Sequence, residues 1–505
     1  MDDRKFSKSL EVALSGGGFR ATAFGLGVLL YLADSGLNKQ VKTISSVSGG
    51  SIANGFVASE CDFAAMDEGA QFRAVAARLA QIISGKGTFS GFWLISRPPL
   101  ICLLVSGVII LAWLTNLLVA GLVFLFWDIV VRPVSSTEVF QCLAAVLVWG
   151  VAALNRGELV FWWISRTFLR SKPVTLGSVS GRAIDHVFCA TDLTSSSPLF
   201  FSTKGGGRIY SQSYGRGEGK DVALKRAIGA SAAFPPLIPP EPFKLFRHRF
   251  SGEGSPPRTV WLSDGGVWNN LGTDWSRLRN AWLTAEQKWL KGLPERGGFP
   301  VIELMKNCPM AAVLLIANAS KPEVRKNLWL LKVPGFSFFA TLIRVLNVTV
   351  NSTVEARSAD VEKTARTRML NDPDQWELGE DAPRPQGTVW GEGEGTAPPL
   401  AVMIEMTRKP GETAKAYRMI GGLEQWRQKP DEYLEELQAP LQKLQRLLDG
   451  DDVVRTTLDN LGPRDTLRLI VLGYLNTRET LTVAFANHTP PPCPAPEWFE
   501  ELLQL

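Results

Sequence analysis

The hydrophobic positions of the first sixty residues change period in a regular way. Residues 10–15 form a short apolar run that reads as a strand, and Gly16, Gly17 and Gly18 end it. Residues 21–33 are apolar at helical spacing, as for a buried helix, and residues 41–47 are β-branched and read as a second strand. That strand runs into a turn at Ser48, after which residues 51–59 look helical. Strand, turn, helix, strand, turn, helix is the rhythm of a parallel sheet covered by helices. The pattern resumes at 183–190 with a strand. An Ala-rich helix over 223–240, stopped by Pro235 and Pro236, comes next, then a strand from Thr259 that ends at Asp264, and another over 311–316. Residues 371–399 are rich in Gly, Pro and acidic residues and read as a loop. Residues 430–448 and 464–475 read as amphipathic helices.

Between the two halves of this pattern the chain changes character. Residues 100–127 carry no charge over 28 positions, and at about 1.5 Å per residue a helix of that length exceeds the ~30 Å hydrocarbon core of a bilayer. Soluble helices rarely run so long without a polar stripe. Residues 139–154 are a second, shorter apolar stretch, which spans, re-enters or lies in the interface. Trp127, Trp149, Trp162 and Trp163 lie near the ends of these stretches, where interfacial aromatics are common. If Ser48 and Asp264 share one site, the chain between them returns to the side it left, which calls for two crossings or none. Lys86 and Arg97 precede the first stretch, and Arg156, Arg166, Arg170 and Lys172 follow the second; the connecting loop holds only Asp128, Arg132 and Glu138. That asymmetry predicts a helical hairpin with the rest of the protein on the cytoplasmic side of a membrane.

Composition narrows the function classes. The formal net charge of +5 suits a cytoplasmic membrane surface and is too weak to argue for nucleic acid. Six cysteines show no CxxC spacing, so neither a disulfide framework nor a zinc site is expected, and with only three histidines no metal site is expected.

The chemistry rests on three short segments. Ser48 is centred in Ser46-Val47-Ser48-Gly49-Gly50, between a strand and a helix, where a tight turn of small residues exposes a nucleophile. Ser45, Ser46 and Ser51 are competing hydroxyls. Gly16, Gly17 and Gly18 between strand and helix leave successive N–H groups free to hold an anion. With the N–H of Gly49 they would form an oxyanion hole. A plain glycine turn is the competing reading; a phosphate loop is not, because no G-K-[ST] follows. Arg20 braces this loop or attracts an anionic head group. Asp264 follows a strand and precedes Gly265 and Gly266, and a carboxylate within reach of a serine can act as general base. Asp192 and Asp274 are alternatives without that context. His186, His248 and His488 sit in no motif that would place them beside Ser48, so a Ser-Asp dyad is expected over a triad.

These segments resemble those of the patatin-like phospholipases, whose pattern is G-G-G-x-[RK]-G, G-x-S-x-G, A-S-x-A-x-P and D-G-[GA]. Here they read Gly16-Gly17-Gly18-Phe19-Arg20-Ala21, Ser46-Val47-Ser48-Gly49-Gly50, Ala230-Ser231-Ala232-Ala233-Phe234-Pro235 and Asp264-Gly265-Gly266. Ala21 and Ser46 each replace a glycine, and one extra residue separates the Ala-Ser pair from the proline. The resemblance implies a three-layer α/β fold with a central, mainly parallel sheet, a Ser-Asp dyad of Ser48 and Asp264, lipid acyl-ester substrates, and no cofactor or metal for chemistry.

The combined expectation is a catalytic domain in two pieces, 1–88 and 173–370, interrupted by a hydrophobic membrane insertion at 89–172. A loop at 371–400 and a C-terminal strand and helices at 401–505 complete or flank it. The expected protein is a membrane-anchored serine acyl hydrolase acting on phospholipid in the bilayer. A lipid acyltransferase and a catalytically silent lipid- or partner-binding protein are the rival readings. The long C-terminal half leaves room for a homo-oligomer contact or an activating partner, though no feature identifies one.

Overall fold

The computed structural model describes residues 9–66, 69–86, 162, 164–169, 173–211, 213–235, 238, 240–250, 256–279, 311, 313–320, 400–415, 424–449, 461–485 and 488–504. The expected hydrophobic hairpin and the loop at 371–399 lie outside them. Among the described residues no helix is long and apolar enough to cross a membrane.

In chain order the elements begin with β1 (Leu10–Leu14), α1 (Gly18–Asp34), β2 (Val41–Ser46), α2 (Gly49–Glu60) and α3 (Gly69–Gln81). Further along come β3 (Asp185–Asp192), β4 (Ser197–Ser202), β5 (Arg208–Ser211), β6 (Gly215–Glu218), α4 (Leu224–Ser231), β7 (Glu241–Phe243), β8 (Val260–Asp264) and α5 (Gly266–Asn269). The chain then supplies β9 (Val313–Asn318), β10 (Leu400–Glu405), α6 (Glu424–Leu448), α7 (Gly462–Ala484) and α8 (Pro496–Glu500).

The strands form one sheet in the order β10-β9-β1-β2-β3-β4-β5-β6, with β8 on β3 and β7 on β8. β10, β9, β1, β2 and β3 run parallel, as the βα rhythm predicts. The sheet is nonetheless mixed, because β4 to β8 add antiparallel pairs. The connections β3–β4, β4–β5 and β5–β6 are too short for the crossover that parallel pairing needs, so those strands turn back on one another.

The parallel strands are apolar on both faces because both are covered. On β1, Leu10, Val12 and Leu14 face the main core with α1 and α7, while Ala13 packs with Leu271, Leu314 and Ile316 on the other side. Glu11 is the polar exception on that second face: it pairs with Arg279 at 2.7 Å, and both side chains are fully buried. Removing one partner of such a pair strands a buried charge.

α1 and α7 cross at bare backbone. A Cβ on Gly27 would stand 2.1 Å from the carbonyl oxygen of Ile470, and one on Gly473 would stand 2.2 Å from that of Phe24. The expected amphipathic helix at 464–475 is therefore a longer, almost wholly buried helix pressed on α1. Beyond the expected span, its Arg478 and Glu479 are buried with partners: Arg478 pairs with Glu436, and the Glu479 carboxylate accepts the N–H groups of Gly411 and Ala414 at 2.8 and 2.6 Å.

One further difference bears on function. The helix expected over 223–240 ends at Ser231, well before the prolines. The carbonyl of Ser231 accepts from Ser48 and Gly265, and that of Ala233 accepts from Asp264, so these carbonyls leave the helical ladder for loop contacts.

Candidate active site

β2 and β8 lie along the same edge of β3 and meet end to end. β2 runs parallel to β3 and stops at the pair Ser46–Phe188. β8 runs antiparallel to β3 and stops at the pair Asp264–Ala190. The carboxyl ends of both strands therefore point at Cys189, from opposite directions. The residue after each end must turn sharply. Gly265 has no room for a side chain, since a Cβ there would lie 2.3 Å from the Cys189 carbonyl oxygen.

Ser48 occupies the other turn. Its φ of 51° is in the left-handed region, rare for a residue with a side chain. Such a conformation costs about 1–3 kcal/mol and persists only where neighbours fix it. Here they do. The Ser48 N–H donates to the Ser231 carbonyl at 3.0 Å, and the N–H groups of Gly50 and Ser51 donate back to Val47 and Ser48 at 2.9 Å each. The Gly265 N–H donates to the same Ser231 carbonyl at 3.2 Å, so one oxygen ties the Ser48 turn to the Asp264 turn.

The competing hydroxyls are engaged. Ser45 Oγ donates to the Gly272 carbonyl at 2.9 Å and Ser46 Oγ to that of Val187 at 3.0 Å. Ser51 Oγ bonds Ser46 Oγ at 3.0 Å and Ser231 Oγ at 2.8 Å. All three are buried, whereas Ser48 is partly exposed.

Asp264 is 1% exposed. Its Oδ1 accepts the Gly266 N–H at 2.7 Å, while Oδ2 is buried without a hydrogen bond of normal geometry. Burial pushes its pKa up to about 7, held back by the Ser48 hydroxyl beside it and by the Gly266 N–H. The two groups expected to act together are therefore neighbours. Asp192 instead accepts from Thr194 and Ser195, and Asp274 pairs with Arg277.

The glycine loop of β1 abuts the same turn. Gly17 and Gly18 have φ of 140° and 62°, conformations that L side chains rarely adopt. A Cβ on Gly49 would lie 1.9 Å from the carbonyl oxygen of Gly18 and 2.8 Å from its nitrogen, so the loop and the serine turn touch backbone to backbone. Among the described residues, no acceptor takes the N–H of Gly17, Gly18 or Gly49. Gly16 is a correction to the expected donor set: its N–H donates to the Asn270 carbonyl at 2.9 Å. It supplies space instead, since a Cβ there would lie 2.0 Å from Asn270 Oδ1 and 3.2 Å from Ser48 Cβ. Gly18 and Gly49 also start α1 and α2, whose positive ends favour an anion at this point. Arg20 is buried, with its guanidinium against Gly17, and burial lowers its pKa to about 10. It braces the loop from within.

Each of the three histidines is bonded to a group other than Ser48 and Asp264. His186 Nδ1 bonds Asn54 Oδ1 at 2.7 Å, and burial lowers the ring's pKa to about 3, so it is neutral. Asn54 Nδ2 donates to Ser46 Oγ at 2.9 Å, which extends this network to the serine turn. His248 bonds the Glu218 carbonyl and His488 the Tyr31 hydroxyl. Among the described residues no cluster of His, Cys, Asp or Glu could hold a metal ion. The sequence alone does not show Ser231 as the tie between the two turns; Asn270, expected to hydrogen-bond the Asp264 loop, instead accepts from Gly16. The Ala-Ser segment upstream of Pro235 was the available signal for the first.

A family model described as patatin-like phospholipase matches residues 12–274, more than half of the chain. No curated protein matches it. Among solved structures, human GIVD cytosolic phospholipase A2 is 13% identical with a TM-score of 0.39, covering 98% of this chain and 60% of that one. VipD from Legionella pneumophila is 13% identical with a TM-score of 0.25, covering 79% of this chain and 61% of that one. The chain thus spans about three fifths of the length of each.

The Asp264 carboxyl sets a stability prediction. Its pKa rises from 3.8 to about 7 on folding, so the folded state binds the extra proton and this group favours folding below about pH 4. That contribution is lost as pH rises through about 7. Asp264→Asn keeps the Gly266 hydrogen bond and removes the buried charge. It should stabilise the fold at pH 8 by on the order of 2 kcal/mol, with the gain shrinking towards pH 4. Denaturant titrations at the two pH values measure this; equal effects at both would contradict the buried carboxylate.

Proposed function

This chain belongs to the patatin-like phospholipase family, and within it we propose a serine acyl hydrolase that cleaves fatty-acyl esters of membrane phospholipid with Ser48 and Asp264. The observation that carries this reading is the strained Ser48 turn set against a buried carboxyl whose pKa is pushed up to about 7. A carboxylate of that basicity accepts a hydroxyl proton far better than an exposed one and is still ionised near neutral pH.

In the proposed reaction Asp264 Oδ2 takes the proton as Ser48 Oγ attacks the ester carbonyl carbon. The carbonyl π pair moves to oxygen, and the N–H groups of Gly17, Gly18 and Gly49 hold the resulting oxyanion, each donor worth about 2.7–4 kcal/mol. The tetrahedral intermediate then breaks its bond to the lyso-lipid alcohol, which leaves with the proton from Asp264. Water, deprotonated by the same carboxylate, attacks the acyl-serine, and collapse returns the proton to Ser48 and releases the fatty acid.

Membrane anchoring by the insertion belongs to this proposal. Ile83 before the insertion and Ile164, Phe168 and Leu169 after it are buried in one core, which supports an insertion that leaves and returns on the same side. The Phe168 ring packs edge-on to Phe19 in the first turn of α1, centroids 6.0 Å apart, so the chain rejoins the body beside the helix that follows the glycine loop. The hairpin would hold the site at the cytoplasmic face of the bilayer.

Fatty-acid release from mixed phospholipid vesicles should be seen with wild type and fall roughly 10³-fold or more in Ser48→Ala and in Asp264→Asn. Release by Ser48→Ala at the wild-type rate would remove Ser48 from the reaction. An acceptor alcohol added to the vesicles separates hydrolysis from acyl transfer by its product. On a neutral soluble ester, kcat/KM should rise tenfold per pH unit below about 7 and level off above it, as the Asp264 carboxylate forms. The full chain should stay with the membrane pellet through an alkaline carbonate wash; quantitative release would argue against the anchor.

A further inference from the structure

Four large hydrophobic side chains are exposed among the described residues: Trp162 at 51%, Leu193 at 44%, Phe246 at 54% and Trp261 at 52%. Three of them come together at the end of the sheet that carries the site. Leu193 follows the carboxyl end of β3, and its N–H donates to the Trp261 carbonyl at 2.8 Å. On β8 Val260 and Leu262 are buried while Trp261 between them faces out. β7 pairs with the start of β8, and Phe246 stands on the turn that follows β7. Trp261 is three residues from Asp264, about 10 Å along the strand. It lies beyond the end of β2, along the same edge of β3.

The same segment is cationic. Between positions 244 and 261 the sequence has Lys244, Arg247, Arg249 and Arg258 against the single acid Glu253. The guanidinium of Arg247 lies 5.7 Å from the Phe246 ring centre and that of Arg258 5.5 Å from it. Arg249 is 81% exposed at its side chain, with Glu218 3.8 Å away. Trp162 repeats the pairing, with Arg166 5.3 Å from its ring, six residues before the Phe168 that packs on Phe19. Aromatic side chains with arginines over their faces are suited to the interface of a bilayer: the rings enter the head-group layer and the cations meet lipid phosphate and carboxylate. A protein partner's apolar patch would match the rings and leave the arginines without counter-charge.

We propose that Leu193, Phe246 and Trp261 with Arg247 and Arg258 form a docking surface for an anionic phospholipid bilayer, which turns the site towards the lipid head groups. These residues lie outside the segment proposed above as a membrane hairpin. Its role in substrate access rests on the phospholipase reading above, but its membrane contact does not.

The test follows the patch itself, since the hairpin could hold the protein on a vesicle whatever the patch does. In full-length Ser48→Ala protein, Phe246→Cys carries an environment-sensitive fluorophore, and Lys42→Cys carries it at the exposed amino end of β2, away from the strand ends that hold the site. On phosphatidylcholine vesicles with phosphatidylserine the label at 246 should shift to the blue and be quenched by a lipid-borne quencher. The label at 42 should do neither. Arg247→Glu with Arg258→Glu should weaken the response about tenfold or more in lipid concentration, since each basic residue near an anionic surface contributes appreciably. In unlabelled protein with Ser48 intact, this double variant should hydrolyse a soluble short-chain ester at the wild-type rate, which shows the site is folded. The proposal is overturned if the label at 246 stays in water on these vesicles, if both labels respond alike, or if the shift follows protein concentration without lipid. Because the labelled protein is inactive, failure here is separate from failure of the hydrolase reading.

Discussion

Two strands that end against each other set the constraint from which the rest of this site follows. β2 and β8 share one edge of β3 and approach from opposite directions, leaving only Cys189 between their last pairs. Neither chain can continue straight. One turns at Ser48, in a conformation a side chain resists, and the other turns at Gly265, where no side chain fits. The Ser231 carbonyl accepts an N–H from each turn and so fixes their separation. The carboxyl at the end of β8 is thereby buried beside a hydroxyl, and its raised proton affinity is the electrostatic result. Strain on one side and desolvation on the other are both stability losses, offset by the core around them; such losses gather where a protein carries function.

The glycines at the end of β1 complete the arrangement by what they lack. Contact at the Gly18–Gly49 approach is backbone on backbone, which brings free N–H groups of two helix starts to one place. A side chain at either position would part the loops. Gly16 serves differently, because its own N–H is used and its missing side chain leaves room for Asn270 beside Ser48.

Much of this was legible in the sequence for a physical reason. Period-2 and period-3.6 patterns report burial, and β1, α1, β2, α2, β3 and β8 are buried elements whose apolar residues keep those periods. Ser48 and Asp264 could be read because each sits at a strand end next to glycine, and the need for glycine is local. The antiparallel strands β4 to β6 were not read: β5 and β6 hold only four residues each, and glycines at 205–207, 215 and 217 break up any apolar alternation around them. The burial of Glu11, Arg279, Arg478 and Glu479 was not legible, because the groups that pair with them lie far along the chain. The early end of α4 was hidden for the same reason: the bonds that draw Ser231 and Ala233 away from the helix come from Ser48, Asp264 and Gly265.

The central claim is that Ser48 is activated by Asp264. The most direct measurement is the rate at which a fluorophosphonate probe labels the protein, followed by peptide mapping of the adduct across pH. The account predicts a single adduct on Ser48, with a rate that rises with pH and levels off above about 7, and that collapses in Asp264→Asn. An adduct on another residue, or Ser48 labelling that is as fast in Asp264→Asn as in wild type, would contradict it.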